Sequence, residues 1–292
     1  DVKTFKVTNT ATGKSVKIDK VKQMGEQYPF GGTARLDFSQ ITEAGTYYIT
    51  AGSAKSREFK IGKNVYAGAN EVPLRYMRQQ RCGFNPLFND SCHTHDGRLV
   101  LSGKDDNKKV DVTGGWHEAS DYLQYLSTSA NAVYQMLFAY SKNPQVWADE
   151  YLANGLPGKN GTPDILDEAR WGLEWMVKMN PNDSTFYNQI ADDRDHTFLG
   201  YPQNDTVDYG WGYGKERPVY PCCGEPYGLR KYKNDSKGLA SSVGKFSSSF
   251  SLGAKVFEKI DAKFAEVLKA KAANAYKVGK ANPGACQTAC TI

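Results

Sequence analysis

Period-two alternation over residues 1–63, a switch to helical periodicity from about Tyr66 and a length of 292 residues predict two domains, an antiparallel β-sandwich followed by a helical domain. The strands are read from Thr4-Phe5-Lys6-Val7-Thr8, Ser15-Val16-Lys17-Ile18, Ala34-Arg35-Leu36-Asp37-Phe38, Tyr47-Tyr48-Ile49-Thr50 and Glu58-Phe59-Lys60-Ile61. In each run alternate side chains can line one buried face. Gly13, the Gly31-Gly32 pair and Gly45 are expected to break the runs as turns. A span of 63 residues is short for a complete sandwich.

Residues 64–292 make the second domain. A first helix is expected over Asn70–Gln80, where Pro73 fits the first turn. A second covers about Ala119–Tyr140 and stops before Asn143-Pro144. A third opens at Thr162-Pro163-Asp164, a cap followed by proline at the first helical position, and runs through Ala169, Leu173, Trp175 and Met176. Residues 181–235, rich in Gly, Pro, Asp and Tyr, read as long loops. Helices over Gly238–Ile260 and Ala262–Lys280 follow. Long helices joined by elaborate loops fit an α/α barrel, whose loops at one end build the active site.

Composition narrows the function classes. The 18 tyrosines, 13 phenylalanines and 5 tryptophans exceed ordinary core needs. Such a surplus suits either sugar-binding clefts, where the apolar face of a pyranose lies on an aromatic ring, or a tyrosine-rich core and surface. The net charge of +5 is spread among 32 acidic residues with no dense basic stripe, which argues against nucleic acid as a partner. No apolar run approaches a membrane span. No signal peptide is visible; if one existed, it has been removed.

Residues 111–125 are the most informative stretch: Asp-Val-Thr-Gly-Gly-Trp-His-Glu-Ala-Ser-Asp-Tyr-Leu-Gln-Tyr. If a helix begins here, Glu118 and Asp121 share one face. Two carboxylates converging on a cleft can hold and deprotonate a water, half of what glycoside hydrolysis needs. The same spacing also suits an acidic helix N-terminus favoured by the macrodipole.

Six cysteines are too few for a disulfide scaffold. Cys82, Cys92, His93 and His117 offer two thiolates and two imidazoles, the donor set of a tetrahedral zinc. His95 is an alternative ligand, and a Cys82–Cys92 disulfide or free thiols are the other readings of the pair. Cys222-Cys223, Cys286 and Cys290 receive no function.

The 111–125 stretch resembles the Gly-Gly-Trp-His-Asp-Ala-Gly-Asp-Tyr signature of glycoside hydrolase family 9, mostly cellulases. The resemblance implies Asp121 as the general base of an inverting mechanism and Glu118 as its assistant. Glu118 stands where the family has aspartate, and Ser120 where it has glycine. Residues 1–63 resemble the immunoglobulin-like module that precedes many family 9 catalytic domains, without its usual first strand. Asp164–Gly172 resembles the family's Leu-Asp-Glu-x-x-Trp helix, in which Asp167 and Glu168 are read as structural. Asp192-Asp193-Arg194-Asp195-His196 resembles the loop whose histidine lines the substrate cleft, so His196 becomes a candidate sugar ligand, with Tyr125 and Trp116 as cleft aromatics. Tyr227-Gly228-Leu229 and Ser236–Gly253 resemble a cleft loop and the small-residue helix behind it, with Ser247-Ser248-Ser249 at positions usually held by alanine.

The resemblance also implies a structural zinc on Cys82, Cys92, His93 and His117, and leaves open a calcium on Asp192, Asp193 and Asp205. The family's barrel is (α/α)6 with twelve helices, of which five or six are read here, so the chain is expected to be its N-terminal portion. The family's acid glutamate has no matching motif. Glu216 and Glu225 lie in loops without a basis for choosing either, and a C-terminal fragment completing the barrel is a possible partner. The activity implied is endo-β-1,4-glucanase action on a β-glucan, the alternative being a non-catalytic carbohydrate-binding protein or inactive fragment on the same scaffold.

Overall fold

The computed structural model describes residues 2–100, 105–222 and 237–286, and the chain divides into two units at Asn70. The first unit holds strands β1 (Phe5–Asn9), β2 (Ser15–Ile18), β3 (Val21–Gln27), β4 (Phe30–Leu36), β5 (Gly45–Ala51), β6 (Ala54–Lys55) and β7 (Phe59–Ile61). β1 lies between β2 and β5, antiparallel to both, and β6 and β7 each pair with β5. Phe5, Val7, Ile18 and Tyr47 form the buried centre, with Phe38, Phe59 and Ile61 packed against it. β3 and β4 make a separate hairpin. The Gly31-Gly32 pair, expected to end a strand, runs inside β4 instead. The turn falls at Tyr28-Pro29, and neither glycine needs a special backbone, a Cβ on either meeting nothing within 4 Å. β3 was invisible to alternation because its residues are mostly exposed.

The second unit contains α1 (Glu71–Gln79), β8 (Gly83–Asn85), β9 (Asp90–Cys92), β10 (Arg98–Leu99), β11 (Gln124–Tyr125), α2 (Leu126–Lys142), α3 (Asp164–Lys178), β12 (Tyr187–Ile190), β13 (Pro218–Pro221), α4 (Ala240–Phe257) and α5 (Ala262–Ala281). α2 packs on α3 and α4, and α4 on α5. Their shared core contains Val133, Leu137, Leu166, Leu173, Phe246, Phe250 and Leu268, each fully buried. The hydroxyl of Ser249 crosses from α4 to donate to Ala130 O of α2 at 3.0 Å, so a serine at a close helix contact brings its own acceptor. Asp261 caps α5 by accepting from Phe264 N at 3.0 Å. Thr162 makes no such cap on α3. The helix is preceded by Pro163, and the Asp164 carboxylate accepts from Glu150 N and Tyr151 N instead.

Two further elements differ from the sequence pattern. α2 begins at Leu126 rather than Ala119. Residues 118–123 close into a loop through Glu118 N donating to Leu123 O at 2.8 Å, and Gln124-Tyr125 are claimed by pairing with β12. Residues 181–235 are not all loop, since β12 and β13 lie within them.

Those short strands position the site. They form one sheet in the order β10-β13-β12-β11, with β10 parallel to β13 and the other neighbours antiparallel. Antiparallel pairing sets the start of β11 beside the end of β12, and the start of β13 beside that same end. Parallel pairing sets the start of β10 beside the start of β13. Four chain segments therefore converge at one end of the sheet: residues before Arg98, those before Gln124, those after Ile190 and those before Pro218.

Candidate active site and metal centre

Each converging segment delivers polar residues. The loop before β11 carries Glu118 and Asp121. The Asp192 carboxylate, after β12, accepts from Arg194 N at 3.1 Å and caps the 3-10 turn that presents His196. His196 Nε2 lies 3.2 Å from Asp121 Oδ2, and its Nδ1 lies 3.2 Å from Asp193 O. Asp121 Oδ1 is buried and has no hydrogen-bond partner among the described residues. His196 is half exposed, whereas the Asp121 side chain is 17 % exposed. Burial opposes protonation of His196, but the hydrogen bond and charge of Asp121 outweigh it and raise its pKa. Glu118 is exposed on the same loop. Asp121 and His196 are thus brought together, although the two carboxylates do not share a helix face.

The loop is fixed from beneath. Tyr122 N donates to the Asp195 carboxylate, whose other oxygen accepts from Tyr209 OH at 3.1 Å. Burial raises the Asp195 pKa, the Tyr122 amide opposing it. Gln124 Nε2 donates to Gly114 O at 2.8 Å and ties the two ends of the segment. Gly115, at φ +70°, has no room for a side chain, because a Cβ would stand 2.7 Å from the Trp175 ring and 2.9 Å from Gln124 Nε2.

Trp116, expected in the cleft, is 3 % exposed and belongs to the main core. Its indole N–H donates to Glu168 Oε1 at 2.8 Å, and Glu168 also holds Arg81 through a buried ion pair of 2.6 Å. It lies behind the site because Gly172 of α3 leaves space for its ring. Tyr125 is partly exposed at the edge of a smaller cluster with Leu123, Val207 and Tyr209. Asp167 accepts from Asn160 Nδ2 at 2.8 Å, and burial pushes its pKa up to about 6.

Beside the loop, Cys82, Cys92, His93 and His117 gather so that one ligand atom from each lies within 4.8 Å of all the others. The β8–β9 hairpin sets Gly83 opposite Cys92 and closes the distance between the cysteines. An isolated bridge between Arg81 and Trp116, with His117 N donating to Gln80 O at 2.8 Å, brings in His117. Cys82 Sγ is 3.6 Å from His93 Nδ1, Cys92 Sγ is 3.7 Å from His117 Nε2, and the two imidazole nitrogens are 3.4 Å apart. Cys82 and Cys92 are free thiols rather than a disulfide. A hydrogen bond from Cys82 lowers the Cys92 pKa, while burial raises that of Cys82. Burial also lowers the pKa of His117, favouring the neutral imidazole that a metal needs. His95 is exposed and outside the cluster.

The three aspartates offered for calcium are not gathered as a metal cluster among the described residues. Asp192 is held by Arg194 at 2.6 Å and Tyr220 OH at 2.6 Å. Asp205 Oδ2 faces His93 Nε2 at 3.0 Å. Burial would raise the Asp205 pKa, but His93 and the Val207 amide prevail and keep it ionised.

Sequence reading did not single out Asp96, Tyr122 or Arg217. Arg217 is 1 % exposed and its N–H groups reach Asp96, Gln124, Tyr122 O and Cys82 Sγ. The ring of Tyr122 packs on His93 and His117, with centroids at 5.6 and 4.9 Å. A lone arginine before Pro218 carries no motif. Glu216 beside it pairs with Lys109 and with Arg98 at 3.2 Å. Lys109 first, against some burial and with help from Arg98, holds its carboxyl down at about 2. Glu225, Cys223, Cys290, Tyr227-Gly228-Leu229 and Ser236 lie outside the described residues.

Comparison with known proteins bears on the family and the fold. The sequence model of glycosyl hydrolase family 9 matches residues 66–291, and that of the cellulase N-terminal ig-like domain matches residues 1–56. Endoglucanase D of Acetivibrio thermocellus is 34% identical over 160 residues, which is 51% of this chain and 25% of that protein. A cellodextrinase of Butyrivibrio fibrisolvens is 26% identical over 280 residues, 93% of this chain and 46% of its own length. A zinc-binding triple mutant of the family 9 endoglucanase J30 superposes with a TM-score of 0.75 at 22% identity, covering 100% of this chain and 53% of that one. The chain therefore spans half or less of the curated relatives named here. Its architecture is an immunoglobulin-like β module followed by part of an (α/α)6 barrel.

Proposed function

The chain belongs to glycosyl hydrolase family 9, and from that premise we propose that it carries the water-activating side of an inverting endo-β-1,4-glucanase. Asp121 is the general base. His196 Nε2 faces Asp121 Oδ2 at 3.2 Å and fixes the carboxylate, whose side chain keeps 17 % exposure to meet the attacking water. That pairing carries the reading, since a histidine held against the carboxylate orients it as an acceptor for a water proton. Glu118, on the same loop, assists in orienting the water. His196 and Tyr125 are the sugar-facing groups. The endoglucanase and cellodextrinase relatives favour a β-1,4-glucan as substrate, and a polymer of that size is met outside the cell.

Inversion needs a second carboxyl, protonated and about 6.5–9.5 Å from the base. Glu216 does not suit that role, because a group held near pKa 2 is ionised at neutral pH. We assign no described residue as the acid. A further polypeptide segment that completes the barrel is the partner this reading calls for.

We take zinc as the ion for the four-residue cluster. With Zn–N of about 2.0–2.1 Å and Zn–S of about 2.3 Å, a tetrahedron separates its nitrogens by about 3.4 Å and sulfur from nitrogen by about 3.6 Å. The corresponding separations here are 3.4, 3.6 and 3.7 Å. Four protein ligands close the coordination sphere, so the ion would serve as a structural clamp on His117, next to Glu118, rather than as a Lewis acid. Asp205 orients His93 from behind, as carboxylates commonly do for metal-bound imidazoles.

The direct test is release of reducing ends from a soluble β-1,4-glucan by the parent and by Asp121→Asn, each completed by the segment that supplies the acid. Loss of about 10²–10⁴ in rate with glucan binding retained is expected. Equal rates in the two proteins would overturn the assignment. A pure binder would show no parental activity to lose.

A further inference from the structure

Arg217 sits where the metal cluster and the Asp121 loop meet. Its guanidinium is buried at 1 % exposure, opposite the equally buried Asp96 at 2.7 Å. Nε and Nη2 engage both Asp96 oxygens. Nη2 also donates to Gln124 Oε1 at 2.6 Å and to Cys82 Sγ at 3.4 Å, and Nη1 donates to the carbonyl of Tyr122. One planar group thus touches a metal-ligating sulfur, the residue that follows Asp121 and the glutamine that ties off the loop. No lysine could do the same, since a single ammonium lacks the flat fork that reaches several acceptors at once.

We infer that Arg217 is a positioning residue that couples the metal centre to the Asp121 loop, donating to the Cys82 thiolate on one side and to the Tyr122 carbonyl on the other. The inference rests on the metal reading given above. Outer-shell groups of this kind orient ligands and typically change metal affinity by about 10–100-fold when removed. A hydrogen bond to a thiolate also draws charge from the sulfur, so the metal–sulfur bond and the loop respond to the same contact. Asp96 balances the guanidinium, which is why a cation can lie buried beside the site.

The test uses the full chain loaded with cobalt(II), as parent and as Arg217→Lys. The readouts are the sulfur-to-cobalt charge-transfer band, the rate of metal release to a chelator and hydrogen exchange at Tyr122–Gln124. A shifted band, release faster by about 10–100-fold and faster exchange at those amides are expected in Arg217→Lys. An unchanged band, release rate and exchange would overturn the inference. A parent that takes up no metal would instead overturn the metal reading on which it rests. If Arg217→Lys does not fold, the unsubstituted chain loaded with an NMR-active cadmium isotope decides. Coupling from the metal through Cys82 to an Arg217 guanidinium proton supports the contact, and its absence refutes it.

Discussion

Glu216 carries its charge because Lys109 and Arg98 hold it, and that has a pH signature. Its pKa is lowered from 4.5 to about 2 in the fold. The folded carboxyl therefore binds its proton less readily than the unfolded one, and the ion pairs stabilise fully above about 4.5 and are lost as pH falls towards 2. Glu216→Gln is expected to lower stability at pH 6 and to matter progressively less by pH 3, as read from denaturant midpoints. A difference that stays constant with pH would contradict this. The gain is modest, since Lys109 is 70 % exposed and screened by water. Asp167 carries the opposite sign. Its pKa is raised to about 6 by burial, so its charge weighs against the fold as pH rises from 4 through 6. Asp167→Asn should gain in melting temperature relative to the parent between pH 4 and 7, and a flat difference would count against it.

The segment from Gly114 to Tyr125 is the element on which the site depends, and its shape is set by backbone constraints. Gly115→Ala would place a Cβ at φ +70° against Trp175 and Gln124. Backbone strain of about 1–3 kcal/mol adds to overpacking of about 1–3 kcal/mol. A denaturant midpoint should fall accordingly, and a loss under about 1 kcal/mol would contradict the packing argument. The same segment shows where sequence reading stops. Asp121 and His196 were singled out by their resemblance to family 9 motifs, and the four Cys and His residues by their donor types together with that resemblance; the structure brings the members of each set together. The helix expected from Ala119 was not formed, because pairing of Gln124-Tyr125 with β12 and closure of Glu118 on Leu123 are long-range or loop-specific contacts. Trp116 was misplaced for a related reason, since nothing local says that Gly172, far along the chain, opens a slot for its ring. Asp205 was read as a hard-cation ligand because an isolated aspartate does not announce the histidine it faces.

At the scale of the molecule, period-two and helical patterns revealed the β-then-α order because burial periodicity is written locally. The strands that assemble the site, β10 to β13, span only two to four residues each and leave no periodic trace. The cluster of Cys82, Cys92, His93 and His117 lies wholly within the unit Glu71–Ile292. Elemental analysis should find about one zinc per chain, and none, with Cys82 joined to Cys92, would contradict the clamp. Chelation should lower the stability of that unit while leaving hydrogen exchange in β1, β2 and β5 unchanged, and equal loosening of both units would count against a local role. The central claim is that Asp121 activates water for a single displacement, and stereochemistry tests it most directly. NMR of the sugar first released from a soluble β-1,4-glucan by the completed barrel, recorded before mutarotation, should show the α-anomer at the new reducing end. A β-anomer appearing first would mean retention, and would contradict Asp121 as the base of an inverting mechanism.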